Sequence, residues 1–311
     1  MNARDAFLEQ ATHFDGRSPL YADLARRFAT DPVATRLIDE APGQPKILAL
    51  LAGLHYLVLR GEATWDDSLG EHEPFLREWL ARFDVQTNEV QRCWVLLPLF
   101  LHATRGAETV DVVELGSSAG LNLVWDRYRY EYEAGSWGPG DSPITLRGTE
   151  RGPVPDDLLS FAPPIRSRVG IDRAPVDVTT PEGVDYLKAF VWAGQEDRLA
   201  RLDAAVDVLC ADPPQVVQGD LPDVLPEVLA GLPRDGLTLV FQTAVLGYLS
   251  YDERARVRAT LERPGRDLVF VSAGSPREVE QAWGMRVFRP GREREFVGHA
   301  DFHGAWLDYT L

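Results

Sequence analysis

The sequence has few cysteines, fewer bases than acids and no long apolar run, and each shortage excludes a class of protein. Cys93 and Cys210 are the only cysteines in 311 residues, which excludes a disulfide framework and a cysteine-ligated metal site. Both fall on apolar faces of helical patterns, so we expect two buried thiols in a reducing compartment. The longest apolar run, Ile47 to Leu59, falls short of the roughly 20 residues that a membrane helix requires. The N-terminal residues MNARDAFLEQ do not resemble a secretion signal, so a cytoplasmic protein is expected.

Charge narrows the expected partners. Forty-eight acidic residues against 32 basic ones give a net charge of -16, which repels the phosphates of nucleic acids and of anionic membranes. With 45% hydrophobic and 26% charged residues, the composition is that of an ordinary globular protein, and a small molecule is the expected partner. The histidines show no metal-ligand spacing, so no metal is predicted, and the sequence leaves the oligomeric state open.

The first third of the chain has a helical pattern throughout. Apolar residues recur at spacings of three and four in five segments, which are Phe7 to Phe14, Leu20 to Phe28, Ile47 to Leu59, Phe75 to Phe83 and Val90 to Ala103. We therefore predict an all-helical N-terminal domain over residues 1–107.

From Val110 onward, strand and helix patterns alternate, which is typical of a parallel sheet with helices on its faces. The predicted strands are Val110 to Glu114, Arg168 to Asp172, Gln215 to Gln218, Leu237 to Thr243 and Asp267 to Ser272. A helix is expected from Ala119, and another after an N-cap at Ser250. Residues 108–311 are thus predicted to form a doubly wound, mostly parallel, Rossmann-like α/β domain with a seven-stranded sheet.

Two hairpins are predicted within this second domain. The first, at about residues 127–148, would pair the alternating run RYRYEYE with SPITLRG across a turn of sequence GSWGPGD. The second would pair Glu295 to His299 with Ala305 to Tyr309 as an antiparallel C-terminal hairpin.

The tract ELGSSAG, Glu114 to Gly120, is the strongest candidate for a ligand site. A buried carboxylate is costly without a partner, and the glycines that follow let a ligand approach the backbone. The spacing resembles the first motif of S-adenosylmethionine (SAM) methyltransferases and differs from the dinucleotide pattern Gly-x-Gly-x-x-Gly. Glu114 is expected to hold the positively charged end of SAM, and the N–H groups of Ser117 and Ser118 are expected to meet its carboxylate. Gly116 and Gly120 complete the predicted turn.

Further cofactor-binding candidates follow the later strands. Asp172 is placed to accept hydrogen bonds from ribose hydroxyls, and Asp220 to accept one from an adenine amino group. Thr243 closes the fourth predicted strand. An ordinary N-cap is the alternative for both aspartates. The ligand-site interpretation predicts that the carboxylates of Glu114, Asp172 and Asp220 converge.

Candidate substrate-binding residues come from three tracts, and they are Asn88, Glu89, Arg92, Tyr128, Tyr130 and Gln242. Gln242 and Tyr130 are also the catalytic candidates. The acceptor is expected to enter between the sheet edge and the helical domain. The alternative for the tyrosines is simple packing of an alternating aromatic strand.

Several tracts together resemble an uncharacterised bacterial family, a domain of unknown function common in GC-rich bacteria. They are QTNEV, ELGSSAGLNL, DRYRYEY with its SWGP turn, VGIDRAPVDV, VVQGD, TAVLGYL and ADFHGAWLDY. The resemblance covers nearly the whole chain and implies a fold similar to class I SAM methyltransferases.

The expected function is therefore SAM-dependent methyl transfer to an unidentified small molecule. Two alternatives stay open at this point. The chain would bind SAM or a nucleotide as a sensor or interaction module without turnover, or it would be a nicotinamide-dependent oxidoreductase.

Overall fold

A computed structural model describes residues 2–43, 46–83, 86, 88–263, 265–274 and 282–311. The α-helices are α1 (Ala3–Phe14), α2 (Pro19–Phe28), α3 (Pro32–Glu40), α4 (Ile47–Leu59), α5 (Glu73–Arg82), α6 (Arg92–Thr104), α7 (Asp156–Leu159), α8 (Pro181–Ala189), α9 (Glu196–Cys210), α10 (Leu221–Gly231) and α11 (Tyr251–Leu261). The strands are β1 (Val110–Leu115), β2 (Arg129–Tyr132), β3 (Gly135–Trp137), β4 (Thr145–Arg147), β5 (Thr149–Gly152), β6 (Ile165–Asp172), β7 (Gln215–Gln218), β8 (Leu237–Thr243), β9 (Leu268–Gly274), β10 (Ala282–Phe288), β11 (Glu295–Asp301) and β12 (Trp306–Tyr309).

Two compact units make up the chain. The first comprises Met1–Asn88 with Asp177–Asp203, and the second Glu89–Val176 with Ala204–Leu311. The division differs from the boundary expected at residue 107. Helix α6 belongs with the sheet because its Phe100 ring packs 4.9 Å from that of Phe241 in β8. Helix α8 belongs with the N-terminal helices because it shares a core with α4 and α5.

The helical unit is built from amphipathic helices whose starts are set by short polar caps. The side chain of Asp31 accepts hydrogen bonds from the N–H groups of Val33 and Ala34 at the start of α3, a helix that the periodicity did not indicate. Its core contains Phe7, Phe14, Tyr21, Leu50 and Leu54 among its fully buried side chains. In this unit α1, α2, α4 and α5 follow the helices predicted from sequence.

The sheet unit is a mixed α/β structure. Its main sheet has the order β5-β12-β11-β10-β9-β8-β1-β6-β7, in which the run from β9 to β7 is parallel and the run from β9 to β12 is antiparallel. A mostly parallel sheet with a C-terminal antiparallel hairpin is thereby confirmed. The prediction of seven strands was wrong, because β10 between β9 and β11 and β5 beside β12 add two strands and extend the sheet to nine.

Helices cover both faces of this sheet. Val113 and Leu115 of β1 pack with Leu225 of α10 and Val257 of α11. Because strand side chains alternate, Glu114 points to the opposite face, where α6 lies. All of β1 is buried, so its carboxyl end delivers Glu114 into the interior rather than to solvent.

The helix expected from Ala119 is replaced by 3-10 turns over Leu121–Arg127. Gly120 precedes them in a left-handed conformation with φ 83°, and Val124 breaks the helical geometry with φ −98° and ψ 25°. The carbonyl groups of Leu121 and Trp125 accept hydrogen bonds from tyrosine hydroxyls, so they are already engaged outside a helical ladder. No α-helix therefore starts at the ELGSSAG turn.

The inserted hairpin is also paired differently from the prediction. Strand β2 pairs antiparallel with β3, which begins within the segment expected to be a turn, and β4 pairs with β2 in parallel. The result is a three-stranded sheet of order β3-β2-β4. Closing a two-residue connection between β2 and β3 costs less chain entropy than the longer loop that we had expected.

Other predictions are confirmed in detail. Strands β7 and β8 have the predicted bounds, β11 and β12 form the C-terminal hairpin, and Ser250 caps α11 in a capping box with Glu253. Cys93 is buried as expected, but Cys210 is exposed because it is the last residue of α9, where the helix ends. In the described part of the chain, no helix is long and apolar enough to cross a membrane.

Candidate functional site

Glu114 is a buried carboxyl group with an incomplete set of partners. Its residue is 2% exposed, and its Oε1 accepts one long hydrogen bond from Nδ2 of Asn122 at 3.4 Å. Its Oε2 has no hydrogen-bond partner among the residues that the structure describes. A buried carboxyl oxygen without a donor is costly, so such a group is either protonated or complemented by a ligand.

The electrostatic surroundings favour the neutral form of Glu114. Burial raises the pKa of Glu114 well above its ordinary 4.5, and the negative charge of Asp172 raises it further. The bond from Asn122 and the positive charge of Arg92 act in the opposite direction without overcoming burial. A cation that enters beside Oε2 would reverse this balance.

The turn after β1 has a left-handed backbone at Gly116, Ser118 and Gly120, with φ of 74°, 51° and 83°. Ser118 is not a glycine, so this conformation carries local strain. At Gly116 a Cβ atom would lie 2.5 Å from a methyl group of Val245, so the glycine allows this close packing.

The backbone donors expected to bind the carboxylate of SAM are engaged within the chain. The N–H of Ser117 donates to the carbonyl of Ile171 at 3.2 Å, and that of Ser118 donates to Oδ2 of Asp172 at 2.7 Å. The Ser117 hydroxyl is buried and has no hydrogen-bond partner in the described residues. The side chain of Ser117, rather than its backbone, is thus the part of this residue that is left for a ligand.

Asp172 lies at the carboxyl end of β6, beside β1, and is half-buried. Besides the bond from Ser118, its Oδ1 accepts a hydrogen bond from the N–H of Ala174 at 2.9 Å. Each oxygen keeps a second lone pair, so the carboxylate is held in place and can still accept bonds from hydroxyl groups.

Asp220 lies in a different environment. It is exposed, occupies the N-cap position of α10, and forms an ion pair with Arg173. The structure brings Glu114 within electrostatic reach of Asp172, and no described contact joins Asp220 to either. This is the ordinary N-cap position that sequence reasoning held as its alternative.

The side-chain amide of Gln242 is hydrogen-bonded through both its nitrogen and its oxygen. Its Nε2 donates to the hydroxyl of Ser272 at 2.8 Å and to the carbonyl of Ala273 at 2.9 Å, and its Oε1 accepts from the N–H of Leu246. The residue is 1% exposed. These bonds tie β8 to β9 and to the following turn. Thr243, the last residue of β8, is half-buried.

The alternating tyrosines are part of the core. The hydroxyl of Tyr128 donates to the carbonyl of Leu121, and that of Tyr130 to the carbonyl of Trp125, both at 2.7 Å. Burial raises the pKa of both phenols well above 10.0, so neither is suited to act as a base. The packing alternative therefore describes this strand better than a lid over the site.

The start of α6 supplies a second group of charged residues. Glu89 is buried and its Oε1 accepts from the N–H of Gln91 at 3.1 Å. Arg92 donates from Nε to the carbonyl of Phe302 and lies 4.8 Å from the ring centre of Trp283. Asn88, the remaining candidate from this tract, falls in the helical unit.

Sequence reasoning missed Asn122, and it predicted Cys93 correctly as a buried thiol but assigned it no part in the site. The Cys93 thiol donates to Oδ1 of Asn122 at 3.2 Å, and Asn122 in turn donates to Glu114. A polar residue within the otherwise apolar run GLNLVW was a usable signal for Asn122. Cys93 gave no such signal, because it fits the apolar face of a helix.

Three sequence tracts thus meet at the carboxyl end of β1. They are the turn after β1, the start of α6, and the loop at Phe302 that Arg92 contacts. No group of three histidine, cysteine or acidic side chains able to hold a metal occurs among the described residues.

The chain matches the model of a known protein family over nearly its whole length. Residues 4–309 match the family described as an uncharacterized protein conserved in bacteria (DUF2332), and the chain belongs to that family. Comparison with curated proteins finds no match.

Proposed function

We propose that the protein binds SAM at the carboxyl end of β1 and transfers its methyl group to a small molecule. The observation that carries the proposal is that Oε2 of buried Glu114 has no hydrogen-bond partner among the described residues, and neither has the buried hydroxyl of Ser117 in the turn that follows. A parallel sheet receives its ligands at the carboxyl ends of its strands, and a cationic ligand would supply the donor that Oε2 lacks among the described residues.

The residues at the carboxyl ends of β1 and β6 fit two parts of SAM, its ammonium group and its ribose. Glu114 would bind its ammonium group, with Ser117 beside it, and Asp172 would accept hydrogen bonds from the ribose hydroxyls. The N–H groups of Ser117 and Ser118 are engaged elsewhere, so the carboxylate of SAM is assigned to no residue. Asp220, exposed and paired with Arg173, is likewise left out of the proposed site.

SAM supplies a methyl group on a positively charged sulfur, which is already electrophilic. The protein therefore has to align an acceptor and exclude water, and a base is needed only for an acceptor that carries a proton. The burial of Glu114 and of the neighbouring core accounts for the exclusion of water.

A melting scan with a panel of ligands tests the proposal. SAM or S-adenosylhomocysteine at 100 times its dissociation constant should stabilise the fold by about 2.7 kcal/mol. NAD and NADP serve as controls that share the adenosine part. A shift with NAD or NADP alone would refute SAM binding and favour an oxidoreductase.

A second candidate, SAM binding without turnover, is favoured by one observation. Both catalytic candidates, the amide of Gln242 and the hydroxyl of Tyr130, are engaged in structural hydrogen bonds. Incubation with methyl-labelled SAM and a metabolite extract separates the two cases. Methyl-labelled product would rule out SAM binding without turnover. The absence of labelled product from a protein that binds SAM tightly would contradict methyl transfer.

A further inference from the structure

The buried side chains of Cys93, Asn122 and Glu114 form a directional chain of hydrogen bonds. The thiol donates to Oδ1 of Asn122 at 3.2 Å, and Nδ2 of Asn122 donates to Oε1 of Glu114 at 3.4 Å. The chain ends at Oε2 of Glu114, which has no donor among the described residues. A network that served only the core would be expected to end in a paired atom.

The direction of the chain matters for Glu114. An asparagine amide can turn its oxygen or its nitrogen toward a neighbour, and only the nitrogen attracts a carboxyl oxygen. In the structure the Cys93 thiol donates to the amide oxygen of Asn122, and the amide nitrogen faces Glu114. Burial raises the pKa of the Cys93 thiol well above 9.0, so it stays a protonated donor.

We propose that Cys93 and Asn122 are positioning residues, which hold Oε1 of Glu114 and thereby direct Oε2 toward the ammonium group of the ligand. The identity of that ligand rests on the proposed function, whereas the positioning of Glu114 does not. Neither residue touches the ligand in this arrangement. Both act through the carboxyl group.

Other charged and titratable groups act on the same carboxyl group. Asp172 on β6 and Arg92 on α6 change the pKa of this carboxyl group in opposite directions, and its charge affects the pKa of Cys93 and of Tyr128. The Cys93 thiol is also hydrogen-bonded with the Tyr130 hydroxyl. These groups remain unchanged in the variants below, apart from Cys93 itself. The effect of each substitution can therefore be traced to the hydrogen-bond chain.

The first readout needs no ligand. The infrared carboxylic-acid band of protonated Glu114 is obtained by subtracting the spectrum of E114Q from that of the parent, across a pH series. Asn122→Leu should shift the band and raise its titration midpoint, because a donor to the ionised form is lost. Cys93→Ala should shift the band and its titration midpoint in the same direction as Asn122→Leu does. Cys93→Ser keeps a hydrogen-bond donor, so its band and midpoint should match those of the parent.

The second readout is the dissociation constant of S-adenosylhomocysteine. Asn122→Leu should weaken binding about tenfold, at the lower end of the effect of one hydrogen bond to a charged group. Cys210→Ala is the matched control, because that thiol is exposed and lies on another helix. It should leave both the band and the affinity unchanged.

The outcomes separate the two ideas. If Cys93→Ala and Asn122→Leu both give the parent's band and midpoint, the positioning inference is wrong. Should Asn122→Leu not fold, the Cys93→Ala and Cys93→Ser pair decides alone. If the band responds as expected while the parent binds neither SAM nor its product, positioning stands and the proposed function fails.

Discussion

At the amino end of β1, the carboxylate of Asp111 accepts hydrogen bonds from Arg166 on both oxygens, at 3.0 and 2.6 Å, and from Ser167 at 2.6 Å. At the carboxyl end, equally buried Glu114 accepts one bond of 3.4 Å on Oε1, and its Oε2 has no hydrogen-bond partner in the described part of the chain. Both acids lie in the same strand with less than 3% of their surface exposed. The difference separates a carboxylate that is hydrogen-bonded on both oxygens and ties β1 to β6 from a carboxyl group whose second oxygen has no donor among the residues described.

The largest expected effect comes from removing the paired acid. Asp111→Ala removes a buried carboxylate and its bonds from Arg166 and Ser167, while the part-exposed Arg166 keeps Asp235 as a partner. The expected loss is therefore about 1.5–3 kcal/mol of unfolding free energy, the range of a hydrogen bond to a charged group. Urea denaturation followed by circular dichroism measures this loss. Asp235→Ala, which removes the exposed partner of the same arginine, is the matched control and should change little. Equal losses of unfolding free energy for the two variants would show that the buried bonds of Asp111 do not stabilise the fold more than an exposed ion pair does.

The two acids should also give opposite pH dependences. For Asp111, burial alone would raise the pKa, but the bonds from Arg166 and Ser167 lower it below 3.8, so its stabilisation is present above 3.8 and lost as pH falls. For Glu114, burial raises the pKa above 4.5, so stability declines as pH rises above 4.5 through the pKa of the folded state.

Urea titrations of Asp111→Asn, Glu114→Gln and the parent between pH 3 and pH 8 test these signs. The Glu114 variant should gain stability relative to the parent as pH rises. The Asp111 variant should be less stable than the parent above pH 3.8, and this difference in unfolding free energy should shrink as pH falls below that value. Parallel curves for all three proteins would contradict the assignment of either group.

The smallest expected effect is that of a tyrosine hydroxyl in the core. Tyr130→Phe removes the bond to the carbonyl of Trp125 and the hydrogen bond with the Cys93 thiol, so it should cost about 1 kcal/mol of stability and change ligand affinity no more than Cys93→Ala does. Urea denaturation measures the loss of stability, and titration with S-adenosylhomocysteine measures the ligand affinity. A marked loss of affinity would return Tyr130 to the substrate site.

The sequence predicted most of the sheet because its signals are local. The apolar run of β8 and the short β7 have their predicted bounds, and the capping box at Ser250 follows from side chains three residues apart. Glu114 was predicted as a buried acid from local sequence too, because it directly follows buried-strand residues, where a carboxylate is costly without a partner.

The rest depended on contacts between distant residues. The pair between Asp111 and Arg166 spans 55 positions, and no local pattern indicates it. The 3-10 turns after Gly120 depend on hydroxyls of Tyr128 and Tyr130, which a helix signal at Ala119 could not reveal. Asp172 was predicted at the right strand end, but its bond from Ser118 was visible only in the fold.

Calorimetric titration of S-adenosylhomocysteine into the parent and Glu114→Gln tests the central claim most directly. The amide keeps the shape of the carboxyl group but removes its charge, so the fold should persist while affinity falls about 10- to 150-fold, the range of a hydrogen bond to a charged group. Asp235→Ala, which removes an exposed acid paired with Arg166, is run beside it and should bind as the parent does. Equal affinities for the parent and Glu114→Gln would contradict a ligand site at the carboxyl end of β1.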